Sequence, residues 1–240
     1  MGNSFFRFKK FTVHQQGAAM KVGTDGVLMG AWARVRPDDK KYLDIGTGTG
    51  LIALMLAQRT ENMGATIDAV EIDRGSYMQA LENAAASGWG DRVSLFNLPV
   101  QDFATQSDTK YAHIIANPPY FVGSLLPLCG ARSAARHTGS LSYAELLSCT
   151  SRLLASDGIF SAIIPAGMEE EFTKIAAELG LHVSRKCVVS SIAGMSPKRV
   201  MLEFSRSAGI VEEHTLIIES GGGGYTAEYM ELTRDFYLKF

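Results

Sequence analysis

Residues 41–45, Lys-Tyr-Leu-Asp-Ile, run directly into Gly46-Thr-Gly48-Thr-Gly50 and then into the apolar run 51–59. A short apolar run, three closely spaced glycines and a longer apolar run predict a strand, a tight turn and a helix. No other stretch constrains the fold as much. A strand that turns straight into a helix opens a βαβ unit, and such units build parallel sheets covered by helices on both faces. The glycines also let backbone approach a ligand closely, as at a nucleotide cofactor. The spacing is not that of the dinucleotide fingerprint. After Gly46 and Gly48 that pattern needs a glycine at position 51, where Leu51 stands. This speaks against a dehydrogenase. The bland alternative is a tight turn that binds nothing.

The rest of the chain continues the alternation. A second strand over 66–72 ends in Val70-Glu71-Ile72-Asp73, and a helix over 77–86 follows. A carboxylate at the end of that strand can accept both hydroxyls of a ribose. A third strand over 93–98 leads to Gln101-Asp102-Phe103. Asp102 can accept from an adenine amino group and Phe103 can lie against the ring, although an acid there is also an ordinary loop residue. Residues 111–116 form a fourth strand, and 117–140 a long loop of the kind that usually carries function. Beyond it, the pattern predicts a helix over 142–154, a strand over 158–164 and a helix over 169–179. An antiparallel pair follows at 182–190 and 199–204, then a short strand candidate at 215–219 and an aromatic tail over 225–240 that docks on the body. Before the first core strand, Thr24 or Asp25 is expected to cap a helix.

The fourth strand stops at Asn117-Pro118-Pro119-Tyr120. Neither proline has an N–H to donate, so the strand ends there. Asn117, before a proline, is biased to extended backbone. The result is a stiff lip bearing an amide, exposed carbonyls and an aromatic ring. The Asn117 side-chain oxygen and the Pro118 carbonyl can accept the two hydrogens of a planar amine, and Tyr120 can stack on its ring. Alone, Pro-Pro would only end a strand.

Charge is distributed unevenly. The net charge is −2, yet residues 1–24 hold Arg7, Lys9, Lys10 and Lys21 and no acid, so all 25 acids lie beyond them. The loop after the lip adds Arg132, Arg136 and His137. Two basic regions on an acidic body suit a phosphate-bearing partner, or are simply solvated edges. Residues 5–13 interleave aromatics with bases, as in an arm that stacks bases, or as in an edge strand guarded by lysines. Cys129, Cys149 and Cys187 have no metal spacing, which fits a reducing cytoplasm. No apolar run reaches the roughly 20 residues of a membrane helix, and the first ten residues have no signal-peptide core.

In order, Asp44 to Gly50, Glu71 to Asp73, Asp102 and Asn117 to Tyr120 resemble the class I S-adenosylmethionine-dependent N-methyltransferases. Met20 to Trp32, Ala135 to Thr138, Ser196 to Arg199 and Leu232 to Leu238 are similar to the bacterial tRNA1(Val) adenine-N6 methyltransferase family. That likeness covers nearly the whole chain. It implies a Rossmann-like α/β fold: seven strands, mostly parallel, helices on both faces and the last strand reversed. It implies one domain over 1–240, with a basic extension (1–35), a catalytic core (36–206) and a tail (207–240). S-adenosylmethionine would lie on Lys21, Thr24, Asp44, Gly46, Thr47, Gly48, Gly50, Glu71, Ile72, Asp102, Phe103 and Asn117. Asn117, Pro118, Pro119 and Tyr120 would carry the transfer. Arg7, Lys9, Lys10, Phe121, Arg132, Arg136 and His137 would meet tRNA. A cytoplasmic monomer without metal is expected.

The same lip resembles that of glutamine methyltransferases acting on release factors. Those carry a sizeable helical domain before the cofactor turn, and here only some 40 basic and aromatic residues precede it. A DNA adenine methyltransferase lacks room for a target-recognition domain. An RNA-binding factor that keeps only the fold is disfavoured by intact Asp44, Glu71 and Asn117.

Overall fold

A computed structural model describes residues 3–18, 20–118 and 141–240. Eight strands form one sheet: β3 (Lys41–Ile45), β4 (Thr66–Val70), β5 (Val93–Phe96), β6 (Tyr111–Ala116), β7 (Leu154–Pro165), β8 (His182–Ile192), β9 (Arg199–Ser205) and β10 (Glu212–Glu219). Their order is β10-β8-β9-β7-β6-β3-β4-β5. Only β9 runs antiparallel to its neighbours, between β7 and β8. The expected mostly parallel sheet is therefore present, with its seventh core strand reversed. The count differs from the expected seven, because the candidate at 215–219 extends back to Glu212 and pairs in parallel with β8 at the sheet edge.

Alternation along the strands explains the layers. Tyr42, Ile67, Ile115 and Ile163 turn to one face, where α1 (Thr24–Trp32), α2 (Leu51–Arg59) and part of α3 (Arg74–Ala86) pack. Leu43, Ile114, Phe160 and Leu202 turn to the other, under α4 (Val100–Gln106), α5 (Tyr143–Leu153) and α6 (Glu169–Glu178). Ser142 caps α5 in a full capping box with Glu145.

Helix α1 is buried from Gly26 to Trp32. Its N-cap is Gly23, without a side-chain bond. Thr24 and Asp25 instead lie inside the first turn, and the Asp25 carboxylate pairs with Arg199 at 2.9 Å. The close approach of α1 to α2 depends on Gly30. A Cβ there would sit 2.6 Å from Met55 Sδ and 3.1 Å from Met55 Cβ. Gly30→Ala is expected to lower stability by about 1–3 kcal/mol through overpacking, despite alanine's better helix propensity. Thermal unfolding would read this as a fall of roughly 2–4 °C per kcal/mol.

The N-terminal aromatics do not form a loose arm. β1 (Phe5–Arg7) and β2 (Thr12–His14) make an antiparallel hairpin. Phe8 and Phe11 are buried and stack on each other with centroids 4.7 Å apart. Phe8 also stacks on Tyr237 of the tail, beyond helix α7 (Ala227–Thr233). The Lys9 ammonium donates to the Arg234 and Phe240 backbone oxygens at 2.6 Å each. Lys10 pairs with Glu61 at 2.7 Å. Of the N-terminal bases expected to meet RNA, Lys9 and Lys10 thus tie the hairpin to the body, while Arg7 stays exposed. Cys149 and Cys187 are buried thiols, and burial pushes both up to about 11. Among the described residues no helix is long and apolar enough to cross a membrane.

Candidate active site

The chain leaves β3 outward to β4 and β5, then returns to lay β6 on the other side of β3. This reversal opens a crevice at the carboxyl ends of β3 and β6, where open α/β sheets bind ligands. The register puts the chemistry on one level. Ile45 lies opposite Ala116 and Val70, and Val70 opposite Phe96. The next residue of each strand is then Gly46, Asn117, Glu71 or Asn97.

The turn after β3 is held from below and from the side. Asp44 is fully buried; its Oδ2 accepts from Thr47 Oγ1 at 2.6 Å and from the Ala53 N–H at 3.2 Å. Its Oδ1 has no hydrogen-bond partner among the described residues. Burial is the main cause that pushes this carboxyl up to about 7, against the two hydrogen bonds that lower it and with a smaller rise from Glu71. Glu71 Oε2 accepts from the Gly48 N–H and Oε1 from the Asp73 N–H, both at 2.8 Å. A carboxylate has about four lone-pair sites, so each oxygen keeps one for a ligand. Gly50 begins α2 at φ 83°, in the left-handed region, with Ala80 of α3 against it. Above Gly46 and Gly48 no atom of the described residues, their chain neighbours aside, lies within 4 Å of where a Cβ would stand. That open space belongs to a cavity of about 320 Å³ lined by Lys21, Thr24, Gly46, Thr47, Gly48 and Asn117, among others.

The cavity brings six of the expected residues together. Asn117 is half-buried and Pro118 buried. The Asn117 Nδ2 lies 3.8 Å from a Cβ placed on Gly26, so α1 closes on the lip. Ile72 is 53% exposed beside Glu71, an apolar side chain left open at a polar edge. Asp102 is exposed, on the first turn of α4 and not in a loop. Phe103 is placed differently from the expectation. It is buried in the core, its ring 5.1 Å from Phe96 and 6.4 Å from Tyr111. The helical period explains this: Val100, Phe103 and Ala104 form the inward face of α4 while Asp102 points out. Pro119, Tyr120, Phe121, Arg132, Arg136 and His137 lie outside the described residues.

A model of the methyltransferase small domain matches residues 25–128. The tRNA1(Val) (adenine(37)-N6)-methyltransferase of Trichodesmium erythraeum is 45% identical over 240 residues, spanning 100% of both chains. The enzyme of that name from Bacteroides fragilis is 44% identical over 243 residues, also spanning 100% of both. The chain belongs to the tRNA1(Val) (adenine(37)-N6)-methyltransferase family. In fold it is similar to the crystal structure of a predicted O-methyltransferase from Agrobacterium tumefaciens, with a TM-score of 0.67 at 19% identity over 88% of this chain and 96% of that one.

In this member of the tRNA1(Val) methyltransferase family two asparagines brace the candidate site, and neither was among the expected site residues. Asn97 Nδ2 donates to the Glu71 and Ile72 carbonyls at 2.8 and 3.2 Å, which fixes the strand end bearing Glu71. Asn83 is fully buried. Its Nδ2 donates to the Thr49 and His14 carbonyls at 2.9 Å each, and its Oδ1 accepts from the His14 N–H at 2.8 Å. One side chain thus ties the glycine turn to the hairpin. The signal was an amide among the alanines of α3, where a buried face should be apolar. Among the described residues no group of three His, Cys, Asp or Glu side chains could hold a metal ion.

Proposed function

We propose that this protein transfers a methyl group from S-adenosylmethionine to the exocyclic N6 of adenine 37 in tRNA1(Val), in the cytoplasm. The observation that carries the reading is Asn117. It stands one residue past β6, level with Gly46 and Glu71, and lines the same cavity as the glycine turn.

The residues fit the cofactor. Gly46 and Gly48 leave room for it, Glu71 retains lone pairs for ribose hydroxyls, and the exposed Ile72 can cover the adenine, with Asp102 accepting from its amino group. Among the described residues the Asp44 Oδ1 has no hydrogen-bond partner, and once the carboxyl is ionised it offers an acceptor under the turn. When bound, S-adenosylmethionine supplies a methyl group on a sulfonium. The chain's own residues then prepare the amine. An adenine N6 is a poor nucleophile because its lone pair is delocalised into the ring. Hydrogen bonds from its two hydrogens to the Asn117 side-chain oxygen and the Pro118 carbonyl localise that lone pair. The same acceptors stabilise the positive charge that develops on nitrogen, and that charge is discharged when one of the two amine protons is lost to solvent. Holding the amine in line contributes much of the remaining acceleration. The base must leave its stack to reach the lip, and Tyr120 and Phe121 are proposed to hold it.

Glu71→Ala removes the acceptor for the Gly48 and Asp73 N–H groups as well as the ribose contact. Cofactor affinity is expected to fall by about 10–100-fold, the size of one or two hydrogen bonds to a charged group, as calorimetry would show. The decisive experiment offers labelled S-adenosylmethionine with total unmodified tRNA, total DNA and purified release factors in parallel. Label in tRNA, resolved as N6-methyladenosine by nucleoside mass spectrometry, is expected. Label only in protein or only in DNA overturns the reading.

A further inference from the structure

A second, larger cavity of about 650 Å³ lies against the first. Val22, Gly23, Thr24 and Asp25 line both, so the start of α1 is their common wall. The larger one is bounded by β1, the ends of β8 and β10, and the tail after α7. Its volume is that of a small-molecule or nucleotide pocket, about 300–1,000 Å³. Five aromatic residues line it: Phe6, Tyr225, Tyr229, Tyr237 and Phe240. Tyr225 is 48% exposed, and its ring lies 5.1 Å from that of Phe240, edge to face.

Three cations line the same cavity and are exposed: Arg7, Lys198 and Lys239. Among the described residues no hydrogen bond or ion pair engages their side chains. This contrasts with Lys9 and Lys10, which hold the hairpin. Asp25, one of the two acidic side chains that line the cavity, is paired with Arg199; the other is Glu219. An exposed ring, Tyr225, and a half-buried one, Phe240, beside unpaired cations suit single-stranded nucleic acid, with bases on the rings and phosphates on the cations.

We infer that this groove seats a single-stranded nucleotide next to the methylated adenine, its base on Tyr225 and Phe240 and the adjoining phosphates on Arg7, Lys198 and Lys239. The inference rests on the tRNA reading above. It assigns Lys198, Lys239, Tyr225 and Phe240 a part in holding the substrate, and it makes the docked tail one wall of the substrate site.

The test uses the full chain and a single-stranded seven-nucleotide RNA with a central adenine. Its affinity is measured across salt concentrations, and methylation of unmodified tRNA is measured beside it. Lys198→Glu with Lys239→Glu is expected to weaken oligomer binding at least about tenfold and to flatten the salt slope by roughly 1.4, as for two phosphates of a single strand. Tyr225→Ala is expected to weaken binding about tenfold with the slope unchanged, because stacking is lost and not charge. Affinity for S-adenosylmethionine should stay at the wild-type value in both. If both variants bind the oligomer and methylate tRNA as the wild type does, the groove assignment is overturned alone. If the wild type methylates no tRNA, the tRNA reading fails and the groove assignment falls with it.

Discussion

Asn117→Ala is expected to lose transfer by about 100–1,000-fold, the typical cost of removing one hydrogen-bonding group aimed at developing charge, while still binding S-adenosylmethionine and staying folded. Three observations separate these effects. The side chain follows the last residue of β6, so no ladder bond depends on it. No described residue hydrogen-bonds its amide, so truncation strands no buried partner. The glycine turn is anchored by Asp44, Glu71 and Asn83, none of which bonds to it. Single-turnover transfer should therefore collapse, with thermal midpoint and cofactor affinity close to wild type. Equal loss of affinity and rate would mean that Asn117 acts mainly through the cofactor. Normal turnover would remove the acceptor mechanism altogether.

The parts of the site written into adjacent residues were legible before the structure. Strand, glycine turn and helix come from local patterns, and β3, α2 and β6 have the bounds the periodicity predicts. Glu71 and Asn117 were found because each ends an apolar run, and the register then brings them level. What failed to show depended on partners far along the chain. Lys9 was expected to meet tRNA, but its ammonium reaches backbone acceptors more than 220 residues away. Phe8 and Phe11 read either as stacking rings on an arm or as part of an edge strand; in the structure Phe8 lies against Tyr237 of the tail and Phe11 against Trp89. Phe103 and Asp102 are neighbours in sequence, and only the helical turn sends one inward and the other out. The eighth strand was half visible, since Glu212 to His214 are polar and exposed at an edge and lack the apolar signal of a buried strand. Local chemistry thus pointed to the proposed cofactor end of the site, whereas the walls of the proposed substrate groove come from segments near both ends of the sequence.

Asp44 supplies the second large effect, and its sign follows from linkage. Its carboxyl is raised in the folded protein to about 7, from an ordinary 3.8, chiefly by burial. Between those values the folded state holds a proton that the unfolded state has released. Stability from this group is therefore greatest near the low end of that window and is lost as pH rises through about 7. Replacing it with Asp44→Asn removes the titration but keeps an oxygen able to accept from Thr47 Oγ1 and the Ala53 N–H. The amide leaves a new donor at the place of Oδ1, a cost that does not depend on pH. The difference between variant and wild type is then the informative quantity. Measured without cofactor, it is expected to move toward the variant by about 3 kcal/mol between pH 5 and pH 8, at roughly 1.4 kcal/mol per unit while the window lasts. In a chain of this length that is about 6–12 °C in relative thermal midpoint. Above about pH 7, where the carboxyl is ionised, the same variant should bind S-adenosylmethionine more weakly, because there it turns an acceptor under the glycine turn into a donor. A buried carboxylate that opposes folding above neutral pH, and that keeps one oxygen unmatched, is the kind of local conflict that natural sequences retain at functional sites. Parallel pH profiles for variant and wild type would show instead that Asp44 is already ionised throughout that range in the folded protein.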